Sequence, residues 1–180
     1  MSNLSDLTPG VWNVDPSHSI VGFTARHLMI TKVRGRFTTF TGTVTVAENP
    51  LDSQVEATVD LGSVTTGDEQ RDGHLKSADF FDVDKHPTMT FTSTGIKQDG
   101  GDYVLTGDLT VAGTTRSVDF ELSFDGVQKD PWGGTRAGFT AETEISRKDW
   151  ELTWNVALET GGVLVGDKVK IELDVELVKA

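Results

Sequence analysis

Side chains that could do chemistry concentrate in one segment of this chain, RDGHLKSADFFD, which runs from Arg71 to Asp82. Arg71 and Lys76 can bind a phosphate or a carboxylate, and the imidazole of His74 can act as an acid or a base near neutral pH. Two adjacent phenylalanines follow in the same segment. Charged groups beside aromatic rings are typical of a binding or catalytic site, so this segment is the best indicator of function.

Most other catalytic and metal-binding patterns are missing from the sequence. The chain has no cysteine, which removes thiolate nucleophiles, cysteine-bound metals and disulfides. Its four histidines form no H-E-x-x-H pair, and no G-x-S-x-G marks a serine nucleophile. We therefore expect no catalytic residue, no bound metal and no cofactor.

A second histidine points towards the interior. His27 alternates in step with Val21, Phe23 and Ala25, so it shares their face of a strand. An inward histidine is either a hydrogen-bonded core residue or a polar contact for a ligand, and the sequence leaves both interpretations open.

The composition favours one all-β domain. A chain of 180 residues can bury one core, and 19 glycines with five prolines suit many tight turns. The formal net charge of -12 repels phosphate backbones at long range, so we expect no nucleic-acid partner.

Charge is unevenly distributed along the chain. The stretch 16–47 contains no Asp or Glu, although it contains Arg26, Lys32, Arg34 and Arg36. This basic stretch is either a solvated face of two strands or a contact for an anion or a headgroup.

The sequence shows no sign of export or membrane insertion. The first residues, MSNLSDLTPG, lack the basic and apolar regions of a secretory signal. No stretch approaches the ~20 apolar residues that span a bilayer. We expect a soluble cytoplasmic protein without an integral membrane segment.

Alternation of apolar and polar residues predicts antiparallel strands over most of the chain. Roughly eight such segments, joined by short turns, favour a closed barrel, because closure leaves no exposed edge. The alternation stops at about 68–82, where Asp68 can cap a short helix that would lie across the barrel mouth as a lid. We predict a flexible N-terminal segment over residues 1–10 and a single barrel domain over residues 11–180.

Six ordered motifs carry a family resemblance over nearly the whole chain, from about Trp12 to Lys179. They are WNVDPSHSIVGFTARH, VRGRF, TTGDEQRDGHLKSADFFDVDKHPTMTFTST, TGDLTVAGTTR, ISRKDWELTWN and VGDKVKIELDVEL. In these motifs the chain resembles the YceI-like family, described as lipocalin-like polyisoprenoid-binding proteins. The resemblance implies an extended antiparallel eight-stranded lipocalin-like β-barrel, a long apolar pore that accepts an isoprenoid chain, and a homodimer.

One position departs from the family pattern. After Arg147, Lys148 and Asp149 the family usually has an aromatic residue followed by glycine, whereas Trp150 is followed here by Glu151. We expect the local turn or the shape of the mouth to differ at this carboxylate.

The predicted function is non-catalytic binding of an amphiphile with a polyisoprenoid or similar chain, for transport, storage or sequestration. An isoprenoid quinone, a polyprenyl phosphate or a lipid amide would fit. The predicted head contacts are His27, Arg71, His74 and Arg147. The predicted tail contacts are Val21, Phe23, Ala25, Phe37, Leu75, Phe81, Phe91, Leu105, Leu109, Phe120, Phe139, Ile145, Trp150, Trp154 and Leu173.

Two other functions stay open at this point. The first is an enzyme that acts on a small apolar substrate in the same pocket, with His27 or His74 as acid or base. The second is an interaction module whose barrel is filled by its own side chains. An eight-stranded barrel is just wide enough for filling or for one small ligand, so width alone does not decide.

Overall fold

The computed structural model describes residues 3–156 and 164–180. Within these ranges the chain forms eleven β-strands, one α-helix and five short 3-10 helices. The helix, α1, spans Glu69–Lys76. The strands are β1 (Gly10–Val14), β2 (Ile20–His27), β3 (Thr31–Phe37), β4 (Phe40–Val46), β5 (Gln54–Asp60), β6 (Val64–Thr65), β7 (Thr88–Asp99), β8 (Asp102–Val111), β9 (Thr114–Lys129), β10 (Thr135–Ser146) and β11 (Lys168–Lys179).

The strands form one antiparallel sheet that closes on itself. The order around the ring is β1-β4-β5-β7-β8-β9-β10-β11, and β11 pairs again with β1. At one end β2 pairs with β11 and β3, and β3 pairs with β6. Because β2, β3 and β6 continue the courses of β1, β4 and β5, the ring is an eight-stranded barrel. The predicted fold class is confirmed.

The long pair β10–β11 defines the two ends of the barrel. Its register runs from Arg136 opposite Val178 to Ser146 opposite Lys168. We call the end near Ser146 the mouth and the end near Arg136 the closed end. The β2–β3 hairpin lies at the mouth, since Thr24 pairs with Lys170 near the start of β11.

Alternating burial follows from the alternating sequence. In β8 every second residue from Tyr103 to Val111 is buried, and the residues between them are more exposed. Apolar side chains therefore point into the barrel and polar ones into solvent, which is the arrangement that a half-buried strand requires. Trp12, fully buried, and Leu177 pack in the core of the closed end.

Three neighbouring strands are interrupted at the same level of the barrel. Between β1 and β2 a 3-10 helix at Pro16–His18 is capped by Asp15, which accepts a hydrogen bond from the Ser17 amide. Between β5 and β6 the carboxylate of Asp60 accepts from the Gly62 amide. Short polar side chains that bond to nearby amides favour turns over continued strands, which explains the breaks.

The N-terminal segment packs against the closed end from residue 3 onwards. Leu4 and Leu7 are buried in the main core, and Asn3 and Asp6 form a capping box around a 3-10 helix. The sequence predicted a flexible segment over residues 1–10. Residues 1 and 2 lie outside the described residues, and so do residues 157–163 of the predicted barrel domain.

Candidate functional site

The helix α1 sits at the mouth, where the sequence predicted a lid. The carboxylate of Asp68 accepts hydrogen bonds from the Gln70 and Arg71 amides, so the predicted N-cap is confirmed. After α1 the chain continues through turns, in which the amides of Phe80 and Asp82 donate to the Ser77 carbonyl. The predicted boundaries of 68–82 match this helix and its following turns.

The start of the lid is fastened to Thr66. Asp72 accepts from both the amide and the hydroxyl of Thr66, at 2.8 and 2.6 Å. Arg71 donates from Nε to the Thr66 hydroxyl at 2.7 Å and from Nη2 to the Thr66 carbonyl at 2.9 Å. Arg71 forms no salt bridge to an acid within residues 3–156 and 164–180.

The underside of the lid packs on aromatic rings of the barrel wall. The Phe81 ring lies 6.0 Å from the Phe37 ring, which in turn lies 5.6 Å from the Phe23 ring. Leu75 joins the same apolar cluster around fully buried Leu61. Burial of these apolar side chains holds the lid on the mouth.

A cavity of about 720 Å³ opens under the lid. Its volume falls within the range of roughly 300–1,000 Å³ that is usual for small-molecule sites. Charged and polar side chains stand among its lining residues: Arg26, His27, Thr66, Asp68, Gln70, Arg71, His74 and Arg147. We call this space the mouth cavity.

A second cavity, of about 200 Å³, lies deeper in the barrel. Its wall is largely apolar and reaches Leu4 and Leu7 at the closed end. The two cavities share four lining residues, Val21, Met89, Leu109 and Ile171, so they lie next to each other inside the barrel. The barrel is therefore not filled by its own side chains.

The predicted tail contacts divide between these cavities. The mouth cavity is lined by Val21, Phe23, Ala25, Phe37, Leu75, Phe81, Leu109, Ile145, Trp150 and Trp154. The deep cavity is lined by Val21, Phe91, Leu105, Leu109, Phe120, Phe139 and Leu173. All four predicted head contacts, His27, Arg71, His74 and Arg147, line the mouth cavity alone.

His74 stands in an aromatic setting on the lid. Its Nε2 lies 2.8 Å from a carboxylate oxygen of Asp79. Its ring meets the Trp154 ring edge-on at 4.5 Å and the Phe80 ring at 5.1 Å. The carboxylate orients the imidazole, and the two aromatic rings fix its plane at the cavity wall.

His27 occupies the rim rather than the interior. Its parity is as predicted, because it ends the row of Val21, Phe23 and Ala25 that lines the mouth cavity. It is nevertheless exposed, since β2 ends at this residue and turns towards β3. His27 thus points inwards as predicted, but it lies at the barrel edge and not in the interior, because β2 ends there.

Arg147 is buried, with 4% of its surface exposed, and all the partners of its guanidinium are backbone carbonyls. Nε donates to the Gly166 carbonyl at 2.9 Å, Nη1 to those of Leu152 and Trp154, and Nη2 to that of Val165 at 3.2 Å. Burial lowers the pKa of this guanidinium, and the charge of Asp167 opposes that shift. Its role as a clamp for the loop was not foreseen.

The turn after Arg147 has the backbone conformation that suits the glycine of the family pattern. Glu151 has a φ of 62°, in the left-handed region that favours glycine. Its amide donates to the Lys148 carbonyl at 2.9 Å, which closes the 3-10 helix Arg147–Trp150. The turn thus keeps a glycine-like conformation with a glutamate in place. Trp150 remains buried, with its indole N–H donating to the Leu109 carbonyl at 2.9 Å.

The YceI-like domain family matches residues 12–177 of the chain. The chain belongs to the YceI-like family. Protein YceI of Escherichia coli O17:K52:H18 (strain UMN026 / ExPEC) is 46% identical over 136 residues, which are 75% of this chain and 71% of that relative. The resemblance drawn from the motifs is confirmed.

Two solved structures share this YceI-like fold. BcnA of Burkholderia cenocepacia superposes with a TM-score of 0.74 at 23% identity, covering 91% of this chain and 98% of its own. A domain from Saccharophagus degradans, described as polyisoprenoid binding and implicated in plant cell wall breakdown, reaches 0.72 at 16% identity, covering 94% and 98%. At these identities the likeness concerns the fold alone.

Several lining residues of the YceI-like cavities were missing from the predicted site. Met89 and Ile171 line both cavities, and both have the inward parity of their strands, so strand alternation could have found them. Leu152 and Val165 also line the mouth cavity. Neither residue lies in a strand with two-residue alternation, so no sequence pattern indicated them.

A second charged cluster lies outside the barrel wall. Arg136 donates to Asp15 and Glu176 at 2.8 Å and to Asp130 at 3.0 Å. Asp15, Glu176 and His18 are also close enough together to suggest a metal site. The guanidinium of Arg136 already supplies the positive charge between the carboxylates, so the arrangement is better described as a salt-bridge network than as a metal site.

No helix in residues 3–156 and 164–180 is long and apolar enough to cross a bilayer. The homodimer and the cytoplasmic location of this YceI-like chain stay predictions.

Proposed function

We propose that the protein binds an amphiphile with a polyisoprenoid or similar long apolar chain, without changing it chemically. The tail lies in the barrel and the polar head at the mouth. Transport, storage or sequestration of an isoprenoid quinone, a polyprenyl phosphate or a lipid amide would follow from such binding.

The observation that carries the proposal is the graded lining of two adjacent cavities along the barrel. The deep cavity is surrounded almost wholly by apolar side chains, whereas the mouth cavity adds two histidines and, besides the outward-pointing Arg26 at its rim, the two arginines Arg71 and Arg147. A ligand with an apolar tail and a polar head matches this arrangement, with the tail towards the deep cavity and the head in the mouth cavity. The Saccharophagus domain with the same fold is described as polyisoprenoid binding, which agrees with the proposal.

Tail burial is sufficient for useful affinity. Each buried methylene contributes ~0.8 kcal/mol, so ten buried carbons give ~8 kcal/mol. That free energy corresponds to a dissociation constant of about 1 μM before the cost of ordering the chain. Any apolar chain of sufficient length would therefore bind, and the contacts of the polar head determine which ligand is preferred.

Arg147 is the strongest candidate for a head contact. A guanidinium has five N–H groups, and four backbone carbonyls occupy four of them here. No carboxylate lies within ion-pair distance of it in the part of the chain that the structure describes. Its positive charge therefore favours an electron-rich head oxygen, such as that of a quinone or a phosphate.

The polar groups of the mouth support binding better than turnover. His74 directs Nε2 at Asp79 on the lid, and His27 lies exposed at the rim. General acid–base catalysis requires a group within hydrogen-bond reach of the reacting atom. Asp79 engages Nε2 of His74 and leaves Nδ1, but neither the His27 nor the His74 imidazole is hydrogen-bonded to a hydroxyl nucleophile among the described residues. We therefore propose a binding protein and not an enzyme.

The test is organic extraction of freshly purified protein, followed by mass spectrometry. We expect a stoichiometric lipid with an isoprenoid or similar chain, recovered chemically intact. Recovery of a cleaved or oxidised product after incubation would instead favour the enzyme.

Tryptophan fluorescence gives a matched second measurement on the same protein. Trp150 and Trp154 line the mouth cavity, whereas Trp132 is exposed on the β9–β10 hairpin at the closed end. A short-chain isoprenoid quinone should quench a larger fraction of the fluorescence of Trp132→Phe than of wild type, because this variant lacks an emitter outside the cavity, and a smaller fraction in Trp154→Phe. No extractable lipid together with no quenching would contradict the proposal.

A further inference from the structure

The tip of the β2–β3 hairpin exposes three consecutive large apolar residues. Leu28, Met29 and Ile30 are 38%, 57% and 76% exposed. Single exposed apolar side chains are common on protein surfaces, whereas an uninterrupted run at a loop tip is not. Val156 extends this patch, because the Leu28 amide donates to the Leu164 carbonyl and the Leu164 amide to that of Val156. Val156 is itself exposed.

The backbone at this tip is unfavourable for the residues that occupy it. Leu28 and Met29 have φ values of 55° and 59°. Two successive positive φ angles are what a type I′ hairpin turn requires, and Asn-Gly or Asp-Gly is the usual sequence there. Leucine and methionine are therefore unfavourable at this tip for two reasons. Their apolar side chains are exposed to water, and their backbone has positive φ angles that such residues disfavour. Strain of this kind points to a role in function.

The hairpin behind the tip is basic on its outer face. Arg26 and Lys32 lie directly opposite each other in the β2–β3 ladder, and Arg34 and Arg36 share their parity. Like charges placed directly across a ladder repel and destabilise the pair. None of the four forms an ion pair within residues 3–156 and 164–180. The surrounding protein carries a net charge of -12, so this positive face is a local exception.

The apolar tip adjoins the entrance of the mouth cavity. His27, the residue before Leu28, lines that cavity, and so do Arg26 and Val33 on the same hairpin. At the closed end the described residues expose Val11 and Trp132 but no consecutive run of large apolar side chains. A surface that held the tip would therefore also face the opening of the barrel.

We propose that the β2–β3 hairpin docks on an anionic phospholipid bilayer. The three apolar side chains insert among the lipid headgroups, and Arg26 and Lys32 contact the phosphates. Apolar side chains flanked by cations match the two layers of a membrane interface, whereas a protein partner would need a wider complementary patch. The proposal is independent of which ligand occupies the barrel, although it would bring the mouth to a lipid source.

Vesicle flotation of the full chain tests the proposal. We expect the protein to float with vesicles made of equal parts phosphatidylglycerol and phosphatidylcholine, and not with pure phosphatidylcholine vesicles. Added salt should reduce the bound fraction, because it screens the attraction between the basic face and the lipid phosphates.

Two variants separate docking from folding. Leu28→Asn combined with Met29→Gly installs the preferred turn, so the thermal midpoint should stay or rise while vesicle affinity falls at least about tenfold. Arg26→Gln combined with Lys32→Gln should lower affinity for the anionic vesicles about fivefold for each charge removed. Trp132→Ser is the control, because this residue is 84% exposed at the closed end, and it should bind as wild type does.

Four outcomes overturn the docking surface. They are no flotation of wild type, equal flotation with neutral vesicles, unchanged flotation of the turn variant, and loss in Trp132→Ser. A drop in molar mass for the turn variant, without any flotation of wild type, would assign the tip to contact between two copies of the chain. Flotation is measured without added isoprenoid. If the protein floats with vesicles but yields no lipid on extraction, membrane docking is supported and only the proposed function is contradicted.

Discussion

The two arginines Arg136 and Arg147 hold their charges in opposite ways. Arg136 lies on the outer wall and binds three carboxylates, from Asp15, Asp130 and Glu176. Arg147 lies at the mouth cavity, is buried, donates hydrogen bonds only to backbone carbonyls among the described residues, and lies 6.0 Å from the centre of the Phe80 ring. The first charge is neutralised by its neighbours, and the second is solvated by dipoles.

This difference distinguishes a structural salt-bridge network at Arg136 from a candidate ligand contact at Arg147. Carboxylates that surround Arg136 cancel its field, so this residue ties the β1–β2 break to the β9–β10 hairpin and to β11. Carbonyl dipoles around Arg147 hold its position without a carboxylate at ion-pair distance among the described residues, so its charge at the mouth cavity is only partly offset, by Asp167. A charge held in a fixed position beside a cavity is the arrangement that a polar ligand head can use.

Replacement of Arg147 by methionine should have the largest effect. Arg147→Met leaves the carbonyls of Leu152, Trp154 and Gly166 without their side-chain donor, while that of Val165 keeps its bond from the Asn155 side-chain amide, and each unsatisfied buried acceptor is costly. We expect the free energy of unfolding in urea to fall by at least ~3 kcal/mol.

The conservative variant Arg147→Lys shows whether charge or geometry matters. Lysine keeps the charge with three donors and should recover part of the stability. If Arg147→Met unfolds at the same urea concentration as wild type, the carbonyl clamp contributes nothing.

Replacement of Arg136 should have a smaller, pH-dependent effect. Hydrogen bonds from His18, Ser17 and Arg136 lower the pKa of Asp15, and that of Arg136 above all lowers the pKa of Asp130. Depressed carboxylate pKa values stabilise the fold above the unfolded value of about 3.9, and that stability is lost as the pH falls below it. Arg136→Gln should therefore lose stability at neutral pH.

Urea unfolding of both proteins between neutral pH and about pH 3 checks this prediction. The stability of wild type should fall more steeply on acidification than that of Arg136→Gln, so the difference between them narrows. A difference that stays constant with pH would show that the ion pairs add nothing and that Arg136 acts through packing alone.

Replacement of Glu151 by glycine should have the smallest effect, in the opposite direction. Glu151→Gly removes the left-handed strain in the turn beside Arg147, with an expected gain of ~0.5–1 kcal/mol. Asp149→Gly, in the same 3-10 helix but without a positive φ, is the control and should lower stability. Equal losses in both variants would mean that the Glu151 carboxylate, near the Thr114 hydroxyl, outweighs the strain.

Local patterns explain which parts of the molecule could be predicted. The strands follow from two-residue alternation, and Asp68 marks the helix start through its own short side chain. The lining of the cavities followed as well, because parity and the family resemblance together placed residues such as Phe91 and Phe139 inside. These features depend on neighbours in sequence or on a repeated period.

Features that depend on distant contacts were not predictable. The carbonyl of Val165 lies 18 residues from Arg147 in the chain, so no spacing rule reveals the clamp. Likewise the depth of His27 depends on where β2 ends, which is set by the turn at Leu28 and Met29. Arg136 reaches Asp15 across 121 residues, and only the closed ring brings them together.

The breaks at one level in three adjacent strands have a consequence for local stability. A hydrogen-bond ladder that stops divides the wall, so fewer bonds hold the segment made of β2, β3 and β6 than hold the uninterrupted strands β7 to β11. Only two residue pairs join β3 to β6. We therefore expect amide protons on this segment to exchange with solvent ahead of those in β8, β9 and β10.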